Sequence, residues 1–172
     1  MRCPWPTHDD PLYLKYHDEE WGVPIRDDRK IFEFLVLEAF QAGLSWSCIL
    51  HKRENFRKAF LHFNFQKVSK FTPRDVQRLL NDAGIVRNHA KIEAAIENAK
   101  RFMEVQKEFG TFSKYMWSWV EDGPATTEKA IAWAKDLKQR GFKFLGPVVI
   151  YSHMQAVGMV NDHTASCFRK KL

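Results

Sequence analysis

Residues 79–99 read LLNDAGIVRNHAKIEAAIENA, and their pattern decides the fold. A short amphipathic helix leads into a turn at Gly84-Ile85-Val86-Arg87, and a second helix starts at Asn88. In that second helix Ile92, Ala95, Ile96, Ala99 and Met103 recur on one face, the three-and-four spacing of a stripe that packs inward. Two helices joined by so short a turn form a hairpin. The free backbone N–H groups at the start of the second helix suit an anion such as a phosphate, and Arg87, His89 and Lys91 stand beside them. The same pattern fits an ordinary helical hairpin, so on its own it leaves the ligand open.

Helical signals extend outward from the hairpin in both directions. Thr72-Pro73-Arg74-Asp75 has the order of a helix start, with a cap, a proline in the first position and an acid in the first turn; that helix runs over 75–83 and stops at Gly84. Asp27 or Asp28 caps a helix over 29–42 ended by Gly43, and an amphipathic one over 44–60 follows. Downstream, the second hairpin helix continues to residue 109 and a short helix covers 111–120. Thr127 caps a helix that reaches Arg140 before Gly141, and the last spans 146–160. Strand signals are sparse, so the fold class is all-α. Residues 1–26, with Pro4, Pro6, Pro11 and Pro24, read as irregular and need something to pin them.

That pin is visible in the residue types. Cys3 and His17 lie near one end of the chain, and His163 and Cys167 near the other. Two thiolates and two imidazoles are the donor set of a closed tetrahedral zinc site. The spacing of His163 and Cys167 lets both project from one helical turn. If the four meet, one structural Zn2+ ties the chain's ends together. The expected organisation is a single domain over 1–172: a helical lobe over 27–120, with the hairpin near 75–99, and a zinc-clasped lobe from 1–26 and 121–172.

Composition narrows the class of protein. The chain has 172 residues, 45% of them apolar, and three cysteines, an odd number that argues against a disulfide scaffold and for a cytoplasmic location. Cys48, inside a helical stretch, reads as a small core residue. The start, MRCPWPTHDD, has no apolar run of a signal peptide. The longest apolar stretch, 144–151, is far shorter than the ~20 residues a bilayer requires, so no membrane partner is expected. A net charge of +6 points toward a polyanion, nucleic acid first, although a solvated basic surface gives the same number. Six tryptophans add to this, because Trp5, Trp21 and Trp46 share the first third of the chain with Tyr13 and Tyr16. Such a cluster is either core or a stacking surface for a planar base.

One carboxylate stands out. The segment IFEFLVLEAFQAG is apolar nearly all round, and Glu38 falls on its inward stripe with Ile31, Phe34, Leu35 and Gln41, while Glu33 points to another side, toward solvent. A buried carboxylate is expensive unless it is paired or held for function. The structural alternative is a Glu satisfied by a buried Arg or by Trp and Tyr donors.

The stretches DPLYLKYHDEEWGVP (10–24), LEAFQAGLSW (37–46), KRENFRKAF (52–60), DAGIVRNHAKIEAAIENA (82–99) and RGFKFLGPVVIYSHMQAVGMVNDH (140–163), with Cys167, resemble the bacterial 3-methyladenine DNA glycosylase I (Tag) family over essentially the whole chain. The resemblance implies the helix-hairpin-helix glycosylase fold, with Cys3, His17, His163 and Cys167 as its zinc ligands. It implies a hydrolase that flips N3-methylated adenine out of alkylated double-stranded DNA and excises it, initiating base excision repair. It gives Glu38 the catalytic role and places Tyr13, Tyr16 and Trp46 around the base, with Trp21 adjoining. Gly43-Leu44 would enter the gap left by the flipped base, and Gly84, Arg87, His89 and Lys91 would hold the DNA backbone. A monomer is the default for such an enzyme. Two positions depart from the family's pattern: Pro4, where glycine is usual, and His153, where an aromatic is usual.

Two other classes compete. In a zinc hydrolase the metal activates water and Glu38 is its base, but four protein ligands leave no open position. A non-catalytic nucleic-acid-binding module has no need of a buried Glu38 among aromatics.

Overall fold

The computed structural model describes residues 1–7 and 9–171. Its helices are α1 (Pro11–Glu19), α2 (Asp28–Gln41), α3 (Trp46–His51), α4 (Arg53–Ala59), α5 (Phe65–Val68), α6 (Pro73–Leu80), α7 (His89–Phe109), α8 (Phe112–Ser118), α9 (Thr127–Gln139) and α10 (Pro147–Ala156), with 3-10 turns at Leu61–Phe63 and Phe168–Lys171. No strand occurs among the described residues, so the fold is all-α.

Helix α2 is the axis. Every residue from Ile31 to Phe40 is buried, and α3, α7, α8 and α10 all pack against it. A helix apolar on all sides has no solvent face, so it is stable only at the centre of others. Both ends are tied. Asp27 accepts from the Lys30 amide at 2.9 Å, and the Asp28 carboxylate accepts from the Phe112 and Ser113 amides at 2.9 and 2.8 Å, fixing the start of α8 to the start of α2. At the other end the Lys91 ammonium donates to the Phe40 and Ala42 carbonyls at 3.0 and 2.6 Å, satisfying acceptors that a helix terminus leaves open.

The hairpin is α6 and α7. Thr72 and Asp75 form the capping box, Pro73 takes the first position, and Asn88 caps α7 by accepting from the Lys91 amide at 3.1 Å. Gly84 lies in the turn because Asn55 of α4 donates to its carbonyl at 3.1 Å, and a Cβ there would press within 2.9 Å of that side chain.

Several expected boundaries shift. Residues 10–20 are not irregular: Asp10 accepts from the Tyr13 amide and Pro11 opens α1, the same cap-and-proline start as at Thr72. The 44–60 helix is two helices, α3 and α4, broken at Lys52. Leu61, His62 and Phe63 then run left-handed, a costly conformation for non-glycine residues. Phe63 is nevertheless buried there and stacked on Phe60 at 6.1 Å. The cap of α9 is Thr126 rather than Thr127, and α10 stops at Ala156. His163 and Cys167 sit on a turn closed by the Cys167 amide on the Thr164 carbonyl, not on a helix. Cys48 is half-buried, outside the core.

Glu33 also departs from expectation. It is buried, and its Oε1 accepts from Arg53 at 2.7 Å and from Arg57 at 2.9 Å. Arg53 donates as well to both oxygens of Glu20 at the end of α1, at 3.0 and 2.8 Å, so one guanidinium joins α1, α2 and α4. Its side chain is only 6% exposed. Arg53→Ala leaves the Glu33 charge buried with half its partners, which costs on the order of 3 kcal/mol; the expected result is a matching drop in unfolding free energy by denaturant titration.

Candidate base pocket and metal centre

A cavity of about 320 Å³ opens where α1, α2, α3 and α10 meet. Its walls are Trp5, Tyr13, Tyr16, Trp21, Glu38, Gln41, Trp46, Ser152, Gln155, Ala156 and Asp162. Helix α1 contributes Tyr13 and Tyr16, spaced three apart on one face. Ser45 caps α3 through the Cys48 amide at 3.1 Å, and Trp46 follows as its first residue. The Trp46 ring lies 5.4 Å from Tyr16 and nearly parallel to Phe34, at 6.4 Å and 15°.

Glu38 stands in the floor of this cavity, buried. Its Oε2 is 2.7 Å from His153 Nδ1, and His153 is itself fully buried on α10. The partner is thus a histidine, and not the buried Arg or the Trp and Tyr donors of the structural alternative. Glu38 Oε1 has no partner among the described residues, and neither does the buried indole N–H of Trp46. Burial holds the Glu38 carboxyl above the usual range, and His153 opposes that shift. Burial, then the Glu38 charge, pushes the Tyr16 phenol well up, so its O–H stays on as a donor.

Behind the cavity wall lies the second constellation. Cys3, His17, His163 and Cys167 are all buried, and their donor atoms lie within 4.8 Å of one another. Cys3 Sγ to His163 Nδ1, Cys167 Sγ to His17 Nε2 and Cys167 Sγ to His163 Nδ1 are each 3.5 Å. Tetrahedral bonds of about 2.3 Å to sulfur and about 2.0 Å to nitrogen place S and N about 3.5 Å apart, so the spacing fits a single ion. The outer ring nitrogens are occupied too. His17 Nδ1 meets Asp18 at 2.8 Å, with Arg2 on the far side of that carboxylate, and His163 Nε2 meets the Trp21 carbonyl at 3.1 Å. These contacts turn His17 Nε2 and His163 Nδ1 toward the cysteine sulfurs, the orientation coordination needs. The group can hold a metal ion.

Trp5 bridges the two constellations. Its ring is 5.0 Å from His17, 5.0 Å from Trp21 and 5.3 Å from Tyr13. The sequence groups Trp5 with the other aromatics without assigning it to the pocket, and it gives no pocket role to Gln41, Ser152, Gln155 or Asp162. Ser152 and Gln155 were findable by helical spacing on α10. Asp162 is placed by Tyr151 and Gln155, which donate to its Oδ2 at 2.8 and 2.9 Å.

The residues expected at the DNA surface fall into two groups. Gly43, at φ +80°, and the exposed Leu44 follow α2 directly beside the cavity residue Gln41. Arg87 and His89 are exposed at the hairpin, with His89 3.5 Å from Glu93, and Gly84 forms the turn. Lys91 does not join them: its ammonium is turned inward to the end of α2, so it is removed from the phosphate-facing set.

A sequence model of the methyladenine glycosylase family matches residues 5–170. The chain belongs to this family. It is 44% identical to DNA-3-methyladenine glycosylase 1 of Escherichia coli, over 96% of this chain and 95% of that protein. It is 40% identical to the DNA-3-methyladenine glycosylase of Haemophilus influenzae, over 96% of each. Among solved structures, a crystal structure of 3-methyladenine DNA glycosylase I superposes with a TM-score of 0.92 at 44% identity, covering 98% of both chains. The Staphylococcus aureus enzyme, solved to show its recognition of 3-methyladenine, superposes equally well at 39% identity, covering 98% of this chain and 96% of that one. No helix among the described residues is long and apolar enough to cross a membrane.

Proposed function

We propose that this chain is a monofunctional DNA-3-methyladenine glycosylase, which flips N3-methylated adenine out of alkylated duplex DNA and hydrolyses its N-glycosidic bond. The observation that carries the reading is the unpartnered Glu38 Oε1 in a cavity walled by tryptophan and tyrosine. An adenine methylated at N3 is a cation with an exocyclic amine. It offers the carboxylate a donor and a positive charge, and it offers the rings a face. In the duplex the base is out of reach, so extraction precedes chemistry.

Bond cleavage then needs little from the protein. As the bond to C1′ breaks, its electron pair passes to the base and neutralises it, and water adds to C1′ and gives up a proton. Because the leaving group starts out positive, no acid is needed to expel it. The chain's task is to hold the cationic base: Trp46 as stacking platform, Tyr16 and Tyr13 as walls, Trp21 adjoining, and Glu38 accepting the amine. Neutral adenine returns less for desolvating the carboxylate and is left behind. Gly43-Leu44 fills the gap in the duplex, and Gly84, Arg87 and His89 hold the phosphates without reading sequence.

The metal in this reading is one structural zinc. It would be held by Cys3, His17, His163 and Cys167, and a sphere closed by four protein ligands has no place for a reacting water. The chain acts as one domain of two lobes, with the pocket between them. Residues 27–120 supply Glu38, Gln41, Trp46 and the hairpin; residues 1–26 and 121–172 supply the remaining walls. Since a single chain furnishes every wall, a cytoplasmic monomer suffices.

Release of free 3-methyladenine from alkylated DNA tests the activity itself, and its absence would overturn the reading. Glu38→Gln should weaken 3-methyladenine binding by about 2 kcal/mol in titration calorimetry, the worth of a charged hydrogen bond, with circular dichroism unchanged. Metal analysis should return one zinc per chain, and its chelation should lower the melting temperature and the activity together; lost turnover in a fully folded protein would instead place the metal in catalysis. Arg87→Ala should reduce the salt slope of DNA binding by about one contact, whereas Lys91→Met should leave that slope intact and lower stability by roughly 1–2 kcal/mol.

A further inference from the structure

The pair Glu38–His153 is sealed in the core, and the preceding mechanism uses only half of it. His153 does not line the cavity; it touches Glu38 from behind, at 2.7 Å, with the Trp133 ring 5.8 Å away on its other side. Its contact occupies Glu38 Oε2 and leaves Oε1 without a partner. An imidazole carrying its proton on Nδ1 makes this bond while neutral, and the pair then bears one negative charge. With a second proton, on Nε2, the pair is neutral overall. The Nε2 atom is buried and has no partner among the described residues, so nothing in the protein competes for that proton or fixes it.

We propose that His153 is a positioning residue for the base-binding carboxylate: its Nδ1–H holds Glu38 with one oxygen free for the base, and a second proton on the ring cancels the charge that retains a cationic base. The proposal rests on the glycosylase reading above and adds a pH dependence to it. Excision falls on the acid side as the pair changes from net negative to neutral.

The surroundings leave that charge to the pair. Tyr16 and Tyr13 face Glu38 from α1 as neutral phenols, with Arg53 and Glu20 behind Tyr16. Gln41 stands one turn along α2 and Trp46 on α3. Asp162, from the segment after α10, lines the cavity with its Oδ2 already bonded to Tyr151 and Gln155. Helix α9 contributes Trp133. Burial raises the Glu38 carboxyl while His153 opposes this, so replacing the imidazole with a ring that has no donor pushes the carboxyl further up.

The substrate makes the test clean, since the methylated base within DNA is positive at every pH used. Single-turnover release of 3-methyladenine from alkylated DNA is measured from about pH 5 to about pH 8, across the range in which an imidazole titrates. The wild-type rate should decline on the acid side. His153→Gln keeps a donor but cannot take up a proton; its rate at the alkaline end should stay within about threefold of wild type, and its acid limb should move to lower pH. His153→Phe removes the donor; its rate should drop about tenfold or more near neutrality, with the acid limb moved to higher pH. Superimposable profiles for wild type and His153→Gln, in active folded proteins, would overturn the proposal. No release by wild type at any pH would instead overturn the glycosylase reading. Should a variant not fold, nitrogen-resolved NMR of the wild-type imidazole decides. A proton on Nδ1, and uptake of a second that is suppressed when 3-methyladenine binds, supports the proposal; a bare Nδ1 in the folded protein refutes it.

Discussion

The burial of α2 on every side is the constraint from which the rest follows. A helix with no solvent face can leave none of its polar groups to water, so each must be answered by a group from another part of the chain. The start is capped by Asp27, and the Asp28 carboxylate fixes α8 to it. Glu33 is answered by Arg53 and Arg57, and Arg53 brings α1 in through Glu20. Glu38 is answered by His153 of α10 on one oxygen. The end is answered by Lys91 of α7. These contacts recruit the elements that carry the pocket and the hairpin, and they set both at fixed positions along one rod.

The last of these contacts has a functional side. Lys91 belongs to the second hairpin helix and grips the point where α2 gives way to Gly43 and Leu44. The element suited to hold phosphates, the residues suited to fill a gap in the duplex and the carboxylate in the cavity floor therefore share one junction. A lysine that looks like a phosphate ligand in the sequence does its work as an internal tie. On the opposite side, Trp5 places His17, one of the four residues that can hold a metal, one ring away from the cavity's tyrosines. A metal at that group would hold α1 in place, and α1 supplies two walls.

What could be read in the sequence was what depends on local pattern or on residue chemistry. The hairpin, its caps and the central burial of α2 followed from spacing. The four metal-site residues followed from type alone, since cysteines and histidines at both ends of a chain with an odd cysteine count have few other uses. What could not be read depends on contacts between distant residues. Helix α1 is hidden in a segment whose four prolines read as breakers, although Asp10-Pro11 repeats the start used at Thr72-Pro73. Glu33 was given to solvent because a helical projection shows which side a residue is on, not whether two arginines from α4 wait there. The break at Lys52, which separates α3 from α4, has no sequence mark of the kind glycine or proline gives. His153 stood out as unusual, but its meeting with Glu38 joins positions 115 residues apart.

The pocket is also where the fold gives up stability. Glu38 Oε1, the Trp46 indole N–H and, behind the cavity, His153 Nε2 are buried without partners among the described residues, each a desolvation cost of about 1–3 kcal/mol. Outside the pocket two guanidinium nitrogens share that state, Arg53 Nη2 and Arg169 Nε, although Arg53 makes three other hydrogen bonds. At Glu38 and Trp46, which line the cavity, the shortfall falls where a cationic heterocycle can make it good. In the proposed reading a base that brings a donor and a positive charge recovers the cost at Glu38, while a neutral one recovers less, so selectivity comes from what the pocket leaves unanswered as well as from what it offers. Filling that shortfall with a permanent internal partner for Oε1 would stabilise the protein and remove its reason to prefer the damaged base.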